Sequence, residues 1–202
     1  FNKPSKITTD GTNLYVTDFR NHKIRKIVID NGTVTTLAGS SAGFADNTTG
    51  TSAKFYKPEG ITTDGTNLYV ADYLNNRIRK IVISTGVVTT LAGSGNNGDE
   101  DGTGTEASFD IPIEITTDGT NLYVVDYGNH KIRKIVIDNG TVTTLAGTGS
   151  EGSTDHATGT SASFNRPQGI TTDGTNLYVA DQNNHRIRKI VIDNGTVTTL
   201  AG

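Results

Sequence analysis

The sequence predicts an all-β fold made of four copies of one unit, and three observations support this prediction. Ten residues, ITTDGTNLYV, recur without change at 7–16, 61–70, 115–124 and 170–179. β-Branched residues dominate every unit, and Gly, Pro, Asn or Asp interrupts it every few positions, a pattern typical of short strands joined by turns. The tripeptide DNG stands at 30–32, 138–140 and 193–195, and Asn-Gly is a strong hairpin signal.

The repeat accounts for the whole sequence. The units begin at Phe1, Phe55, Phe109 and Phe164, which are 54, 54 and 55 residues apart. We therefore expect one domain, 1–202, with repeats at 1–54, 55–108, 109–163 and 164–202. The chain contains no Met, and this favours a fragment, a processed product or a designed protein.

The composition argues against several classes of function. Eighteen basic and 21 acidic residues give a net charge of −3 without a long run of like charge, which argues against a nucleic-acid partner or an anionic membrane surface. No apolar run approaches the roughly 20 residues of a membrane span. The chain has no Cys, so disulfides, thiolate metal sites and Cys nucleophiles are excluded.

The second unit illustrates the strand prediction. Apolar or β-branched runs at 61–63, 68–71, 77–83 and 87–91 alternate with polar turns, and we expect four antiparallel strands per unit. Ile78 and Ile81 are three residues apart within the third run, which predicts a β-bulge. A proline should lie just before each innermost strand, where a missing N–H is harmless. These prolines are Pro4, Pro58, Pro112 and Pro167.

Both faces of this four-stranded sheet are apolar. In the second run, Leu68 and Val70 point to one side, and Tyr69 and Ala71 point to the other. Each sheet therefore needs an apolar neighbour on both sides, and radial packing of such sheets in a β-propeller provides it. A solenoid is the alternative, but its units are usually shorter and have fewer strands. We predict a β-propeller with four blades in this chain.

These residues resemble a known repeat. The series P-x-G-I-x-x-D, N-L-Y-V-A-D, N-x-R-I-R-K-I and G-x-V-T-T-L-A-G, clearest at 58–93 and 167–202, is similar to the NHL repeat, and the long spacers resemble those of bacterial NHL arrays. The resemblance implies a β-propeller, commonly of six blades, that serves as a binding platform for proteins, RNA or glycans. The family that the sequence resembles also includes a few metal-dependent lyases and lactonases. An extracellular or cell-surface location is a further expectation, in keeping with the absence of Cys.

Several repeated polar residues are candidates for chemistry. Asp72 follows the second strand, Arg77 comes five residues later, and the other units repeat this arrangement with Lys or Arg. Because catalytic acids need different environments, identical copies favour a structural ion pair or hydrogen bond. His22, His130 and His185 hold equivalent turn positions on separate units, which are expected to lie too far apart to share one zinc ion.

The acidic segment 96–102, NNGDEDG, is similar to a calcium-binding loop. Asn97, however, holds the first position, where Asp is usual, and Ser108 holds the twelfth, where a bidentate Glu is usual. We interpret the segment as a solvated loop. The sequence thus predicts no catalytic residue, no metal site, no cofactor and no enzymatic activity.

The units differ mainly in the second turn and in the residues that lead into the first strand. Both lie at one end of a four-stranded meander, so the differences gather on one side of the propeller, called here the variable face. Loops on a rigid scaffold commonly bind ligands, which predicts a binding site around the axial opening. Its predicted residues are Lys6, Phe19, Arg20, Tyr73, Leu74, Glu114 and Tyr127. Drift among duplicated units, without a ligand, is the alternative.

Three functions remain open from the sequence. The first is a noncatalytic interaction module that binds a protein or a glycan through the variable face. The second is a metal-dependent lyase or lactonase, which needs ligands that converge at the axis, where Lys6 and Glu114 are the charged candidates. The third is a structural or designed repeat whose partner is itself.

The first and last units each offer an apolar face that suits a copy of the neighbouring unit. Four blades can close within one chain, or two chains can pair head-to-tail into an eight-bladed ring. Because no blade is shared between the two termini, we expect an open arc rather than a closed ring. A second copy or further blades of a longer protein would then cover the apolar faces.

Overall fold

The computed structural model describes all 202 residues, and they form four antiparallel sheets, called here blades 1 to 4. Blade 1 contains β1 (Pro4–Thr9), β2 (Asn13–Asp18), β3 (Lys23–Val28) and β4 (Val34–Ala38). Blade 2 contains β5 (Pro58–Thr63), β6 (Asn67–Asp72), β7 (Arg77–Val82) and β8 (Val88–Ala92). Blade 3 contains β9 (Gly102–Thr103), β10 (Pro112–Thr117), β11 (Asn121–Asp126), β12 (Lys131–Val136) and β13 (Thr141–Ala146). Blade 4 contains β14 (Pro167–Thr172), β15 (Asn176–Asp181), β16 (Arg186–Val191) and β17 (Val197–Ala201).

Each blade is a meander whose four main strands pair in chain order, as predicted. The predicted bulge is present in every blade; in blade 2, the pairing of β7 with β8 shifts between Ile78 and Arg79. Helical structure is limited to three-residue 3-10 turns, and no helix is long and apolar enough to cross a membrane.

Two details differ from the strand prediction. Each proline is the first residue of its innermost strand rather than the residue before it, a position where the strand does not need the missing N–H. The short strand β9 joins blade 3 as a fifth strand, because the linker between blades folds back along the outer strand β13. The other two linkers make single β-bridges at the same place, Asn47 with Val88 and His156 with Val197.

Hydrogen bonds within the first turn explain why the residues of this turn are the same in every blade. In blade 2, Asp64 Oδ1 accepts hydrogen bonds from the N–H groups of Thr66 and Asn67, at 2.8 and 2.6 Å. Its Oδ2 accepts a hydrogen bond from the Tyr69 hydroxyl at 2.7 Å. Gly65 has φ +87°, a conformation that favours glycine. The Asp, Asn and Tyr of the repeat therefore form one hydrogen-bonded unit, and the glycine supplies the positive φ that the turn needs.

The blades pack face to face, as the two apolar faces of the sheet predict. Each interface joins the back face of one blade, formed by Tyr, Ile and Ala, to the front face of the next, formed by Phe, Ile, Leu and Val. Between blades 2 and 3, for example, Tyr69 and Ile78 lie in one cluster with Phe109 and Leu122. All four of these side chains are fully buried, and burial of each typically stabilises a fold by about 1.5–3 kcal/mol.

A buried ion pair ties the second turn to the third strand. Asp72 Oδ2 lies 2.8 Å from Arg79, and both side chains are completely buried. The same pair recurs as Asp126 with Arg133 and as Asp181 with Arg188. The sequence predicted an ion pair or hydrogen bond for this aspartate, but the predicted partner was wrong: the arginine is seven residues from the aspartate rather than five. Arg77 instead donates to the backbone oxygen of Ser94 at 2.6 Å.

The four blades form an open arc. The innermost strands β1, β5, β10 and β14 pack side by side in this order, whereas β14 makes no comparable contact with β1. The front face of blade 1 and the back face of blade 4 are correspondingly exposed, with Ile7 59% and Leu200 58% accessible.

Candidate ligand-binding cleft at the axis

A cleft of about 250 Å³ lies on the variable face beside the innermost strands. All four blades contribute to its lining, which comprises Lys3, Phe19, Glu59, Tyr73, Ile113, Tyr127 and Gln168. The second turns supply the three aromatic rings, and the residues that lead into or begin the innermost strands supply the others. The cleft therefore lies where the repeats differ most in sequence.

Three aromatic residues at the same repeat position form a row along the cleft. Phe19, Tyr73 and Tyr127 each follow the buried aspartate that ends the second strand of their blade. The ring centroids of Phe19 and Tyr73 are 6.0 Å apart, with the planes tilted by 50°. Gln182 takes this position in blade 4, so the row ends there.

Cationic side chains lie over these rings. Lys3 Nζ is 5.0 Å and Lys57 Nζ 5.8 Å from the centre of the Phe19 ring. The Arg166 guanidinium is 5.6 Å from the centre of the Tyr127 ring. These distances are within the range of cation–π attraction. Lys3, Lys57 and Arg166 occupy one repeat position, and each has a positive φ, between 51° and 57°.

Two carboxyl groups and one further lysine lie at the innermost strands. Lys6 of blade 1 pairs with Glu114 of blade 3, which links two blades that are not neighbours. Burial raises the pKa of the Glu59 carboxyl; the charges of Lys6 and Lys3 oppose this rise, and that of Glu114 adds to it. The backbone oxygen of Glu59 accepts a hydrogen bond from the Thr17 hydroxyl at 2.8 Å.

The structure gathers most of the residues that the sequence suggested. Phe19, Tyr73 and Tyr127 line the cleft, and Lys6 and Glu114 form their ion pair close to Glu59. Arg20 and Leu74 do not line the cleft. Each is the second residue of its turn, and its backbone N–H donates a hydrogen bond to the backbone oxygen of Asn2 or Tyr56, respectively.

Four lining residues were not among the predicted site residues: Lys3, Glu59, Ile113 and Gln168. Glu59, Ile113 and Gln168 are the first members of the variable residue pairs that precede the shared Ile of each innermost strand. Their variation was the signal that could have identified them. In blade 2 the second member is Gly60, where a Cβ would lie 2.8 Å from Glu114 Cα, so a side chain has no room there.

The structure contains no cluster of three or more His, Asp or Glu side chains placed to hold a metal ion. The turn histidines lie on separate blades, and His22 Nδ1 and His130 Nδ1 each accept a hydrogen bond from a backbone N–H of the next blade. In the acidic segment 96–102, Asp99 pairs with Lys131 at 2.6 Å and Asp101 with Arg133 at 2.8 Å. These carboxylates therefore join the linker to blade 3.

Comparison with known proteins gives the class of the fold and then the family. A chain from the crystal structure of a nidogen/laminin complex superposes with a TM-score of 0.70 at 20% identity, over 98% of this chain and 64% of that one. An auxiliary nutrient binding protein from Bacteroides thetaiotaomicron superposes with a TM-score of 0.60 at 18% identity, over 100% of this chain and 58% of that one. With the four radial blades, these matches define the chain as a β-propeller array.

Sequence comparison identifies the repeat. The family model described as NHL repeat matches residues 164–190. NHL repeat-containing protein 2 of Homo sapiens is 30% identical over 217 residues, which cover 94% of this chain and 30% of that protein. The Arabidopsis thaliana protein SUPPRESSOR OF QUENCHING 1, chloroplastic, is 31% identical over 212 residues, or 96% of this chain and 20% of that protein. The chain spans a fifth to about a third of these relatives, and it belongs to the NHL-repeat family.

Proposed function

We propose that this chain is a noncatalytic binding module that holds an acidic segment of a partner protein in the axial cleft of the variable face. The observation that carries the proposal is the row of three aromatic rings with cations placed over two of them. NHL propellers serve in general as interaction scaffolds, and the row gives this scaffold a site with a definite chemical preference.

The charge around the cleft favours an acidic ligand. Lys6 is neutralised by Glu114, which leaves Glu59 as the one acidic residue in the lining of the cleft. Lys3, Lys57 and Arg166 form no ion pair with an acidic side chain, although the charge of Lys3 also acts on Glu59, so the cations near the rings outnumber the one acidic residue of the lining. A local excess of positive charge on a chain of net charge −3 attracts acidic groups and orients their approach.

The aromatic rings favour a peptide over a free small anion. Aromatic side chains are enriched at protein interfaces because they offer a large contact area at a low entropic cost. The cleft of about 250 Å³ and its open rim suit a few side chains of an extended segment. One structural neighbour was solved in a nidogen/laminin complex, which is consistent with a protein ligand for this fold.

The two other ligand classes are less well supported. A glycan needs an open aromatic face for stacking, whereas Lys3 and Lys57 both lie over Phe19. A lyase or lactonase of the metal-dependent type needs several ligands that converge on one ion, and the carboxyl groups near the axis are held beside Lys6 instead.

The test is binding of fluorescent peptides of equal length that carry Glu, Gln or Lys between spaced aromatic residues. We expect the Glu peptide to bind more tightly than the Gln peptide, with an affinity that falls as salt increases. The double variant Lys3→Gln and Lys57→Gln should weaken binding about 10-fold or more. The double variant Thr12→Glu and Thr66→Glu changes the net charge equally, but at the exposed first turns, and it should have little effect.

Preferential binding of a neutral glycan on an array, with no response to the acidic peptide, would overturn the proposal. Equal loss of peptide binding in both double variants would also contradict it, because the effect would then reflect net charge rather than the cleft.

A further inference from the structure

The three joints between neighbouring blades are built from the same parts. At each joint the back face of one blade supplies a Tyr, an Ile and an Ala, and the front face of the next supplies a Phe, an Ile, a Leu and several Val. One polar contact accompanies this packing. A side chain in the second turn accepts a hydrogen bond from a backbone N–H that precedes the next innermost strand.

This polar contact is the same at all three joints. His22 Nδ1 accepts from Lys57 N–H, Asn76 Oδ1 from Ile111 N–H and His130 Nδ1 from Arg166 N–H, each at 3.0 Å. The donor residue has a positive φ each time, between 51° and 58°. The joint is therefore specific in direction, since the acceptor lies on the back of one blade and the donor on the front of the next.

The two ends of the arc carry the unmatched halves of this joint. On the front of blade 1, Phe1 is 58% exposed, whereas Phe55, Phe109 and Phe164 are fully buried. On the back of blade 4, Ile187 is 40% exposed, whereas its equivalents in the other blades are fully buried. The polar halves are also present. Lys3 has the donor conformation with φ 53°, and His185 holds the acceptor position.

Neither polar half has a partner within the chain. The N–H of Lys3 donates no hydrogen bond, and the ring of His185 accepts none. Beside His185, a groove of about 260 Å³ is lined by Ile187, Ala201 and Gly202. At the joint between blades 2 and 3 the equivalent space holds a phenylalanine, and a Cβ at Gly93 would lie 3.2 Å from Phe109 Cδ2.

We propose that the front face of blade 1 of the 202-residue chain docks on the back face of blade 4 of a second copy, and that two copies of this chain close head-to-tail into one ring. Phe1 of one copy fills the groove of the other, and its Lys3 N–H donates to His185 of the second copy. The choice of a second copy follows from the three internal joints, because at each of them a front face of this kind already packs against a back face of this kind. Closure of two copies leaves no open face, as expected for cyclic assemblies.

The mass in solution is the first test. The 202-residue chain should sediment at micromolar concentration as a species of twice 21.4 kDa, without larger species. Ile187→Asp should return the mass to that of one chain, and so should Phe1→Asp. Thr89→Asp adds the same charge at a position that is exposed in every blade, and it should leave the dimer intact. Circular dichroism would verify that the variants keep their β structure.

Mixing the two disrupted chains tests the direction of the contact. Phe1→Asp retains an intact back face and Ile187→Asp an intact front face, so an equimolar mixture should form a heterodimer through one joint. A head-to-head contact would not recover in this way, and failure of the mixture to associate would overturn the proposal.

Cross-linking distinguishes the second copy from closure within one chain. The protein has no Cys, so the double variant Lys3→Cys and His185→Cys carries the only two thiols. We expect oxidation to produce a covalent dimer, whereas the matched internal pair His22→Cys and Lys57→Cys should cross-link within one chain. A monomer of 21.4 kDa, an internal bond between positions 3 and 185, or a concentration-dependent ladder of larger species would overturn the closed dimer.

Discussion

His22 Nδ1 accepts a hydrogen bond from the backbone N–H of Lys57 at 3.0 Å, which joins the second turn of blade 1 to blade 2. The same joint between blades 2 and 3 uses Asn76 Oδ1 instead of a histidine nitrogen. An imidazole and an amide are thus interchangeable here, because each places one acceptor atom at the same point. Asn76 is therefore a natural control for the role of the turn histidines.

Substitution of His22 tests this acceptor role. His22→Asn should preserve the hydrogen bond and change the free energy of unfolding little, whereas His22→Ala leaves the Lys57 N–H without a partner and should cost about 1 kcal/mol. Chemical denaturation of the two variants side by side provides the measurement. Equal destabilisation by both variants would show that the imidazole matters for a reason other than its acceptor.

The same joint makes the stability depend on pH. Partial burial and then the nearby charge of Lys57 lower the pKa of His22, and the charge of Asp72 offsets part of this effect. The folded protein therefore binds fewer protons than the unfolded chain, and this stabilisation is complete above about pH 6.5 and is lost as the pH falls below it. His22→Asn should reduce this dependence between pH 5 and 7. An unchanged pH profile in that variant would contradict the assignment.

The first turn should depend on its tyrosine hydroxyl. Tyr69→Phe removes the donor to Asp64 Oδ2 and should destabilise the protein by about 1–2 kcal/mol. Tyr178→Phe removes the matching bond to Asp173 on the exposed back of blade 4, where water can replace it, and should cost less. Thermal unfolding of the two variants measures the difference. A larger loss for Tyr178→Phe would contradict the role of burial.

The buried ion pairs should differ in importance between blades. Arg79→Met leaves the buried Asp72 without its cationic partner, and it should cost about 3–5 kcal/mol. Arg25→Met is the matched control, because Arg25 is partly exposed, lies 4.0 Å from Asp18 and has no linker carboxylate. Urea denaturation should give a clearly smaller loss for the control. Similar losses would mean that packing of the side-chain stem, rather than charge, dominates.

Two glycines at one repeat position should respond differently to alanine. A Cβ at Gly60 would lie 2.8 Å from Glu114 Cα, so Gly60→Ala must push the innermost strands of blades 2 and 3 apart. A Cβ at Gly169 would meet Ala180 Cβ at 3.6 Å, an ordinary contact, so Gly169→Ala should be neutral or slightly stabilising. Melting temperatures of both variants decide the point. A destabilisation confined to Gly169→Ala would refute the packing described at the axis.

Much of the fold could be predicted from the sequence, because four copies of one unit repeat every signal. The alternation of Leu68 and Tyr69 identifies two buried faces, and the spacing of Ile78 and Ile81 identifies the bulge. The partner of Asp72 could not be predicted from spacing. Arg77 is paired with Asp72 in the strand register, yet its guanidinium turns to the linker and Arg79 approaches Asp72 instead.

The candidate site was predictable in its location and in its aromatic row, since variation among units identifies both. The prediction named the second residue of a lead-in pair, Lys6 or Glu114, whereas the first residue of the pair lines the cleft in blades 2 to 4, and the reason is structural. The pairing of β5 with β6 shifts register between Pro58 and Ile61, so simple alternation of side chains does not extend through Glu59. Lys3 was missed because its position depends on a positive φ that composition does not reveal.

The most direct test of the proposed function is to map the acidic peptide on the protein by NMR. Amide signals of Phe19, Tyr73 and Tyr127 should shift on titration with the Glu peptide, together with those of Lys3 and Lys57. Signals of the first turns, at 10–13 and 64–67, should remain in place, because these turns lie on the opposite side of the blades. Shifts confined to the first turns or to the outer strands, or no shifts at a saturating peptide concentration, would contradict the axial cleft as the binding site.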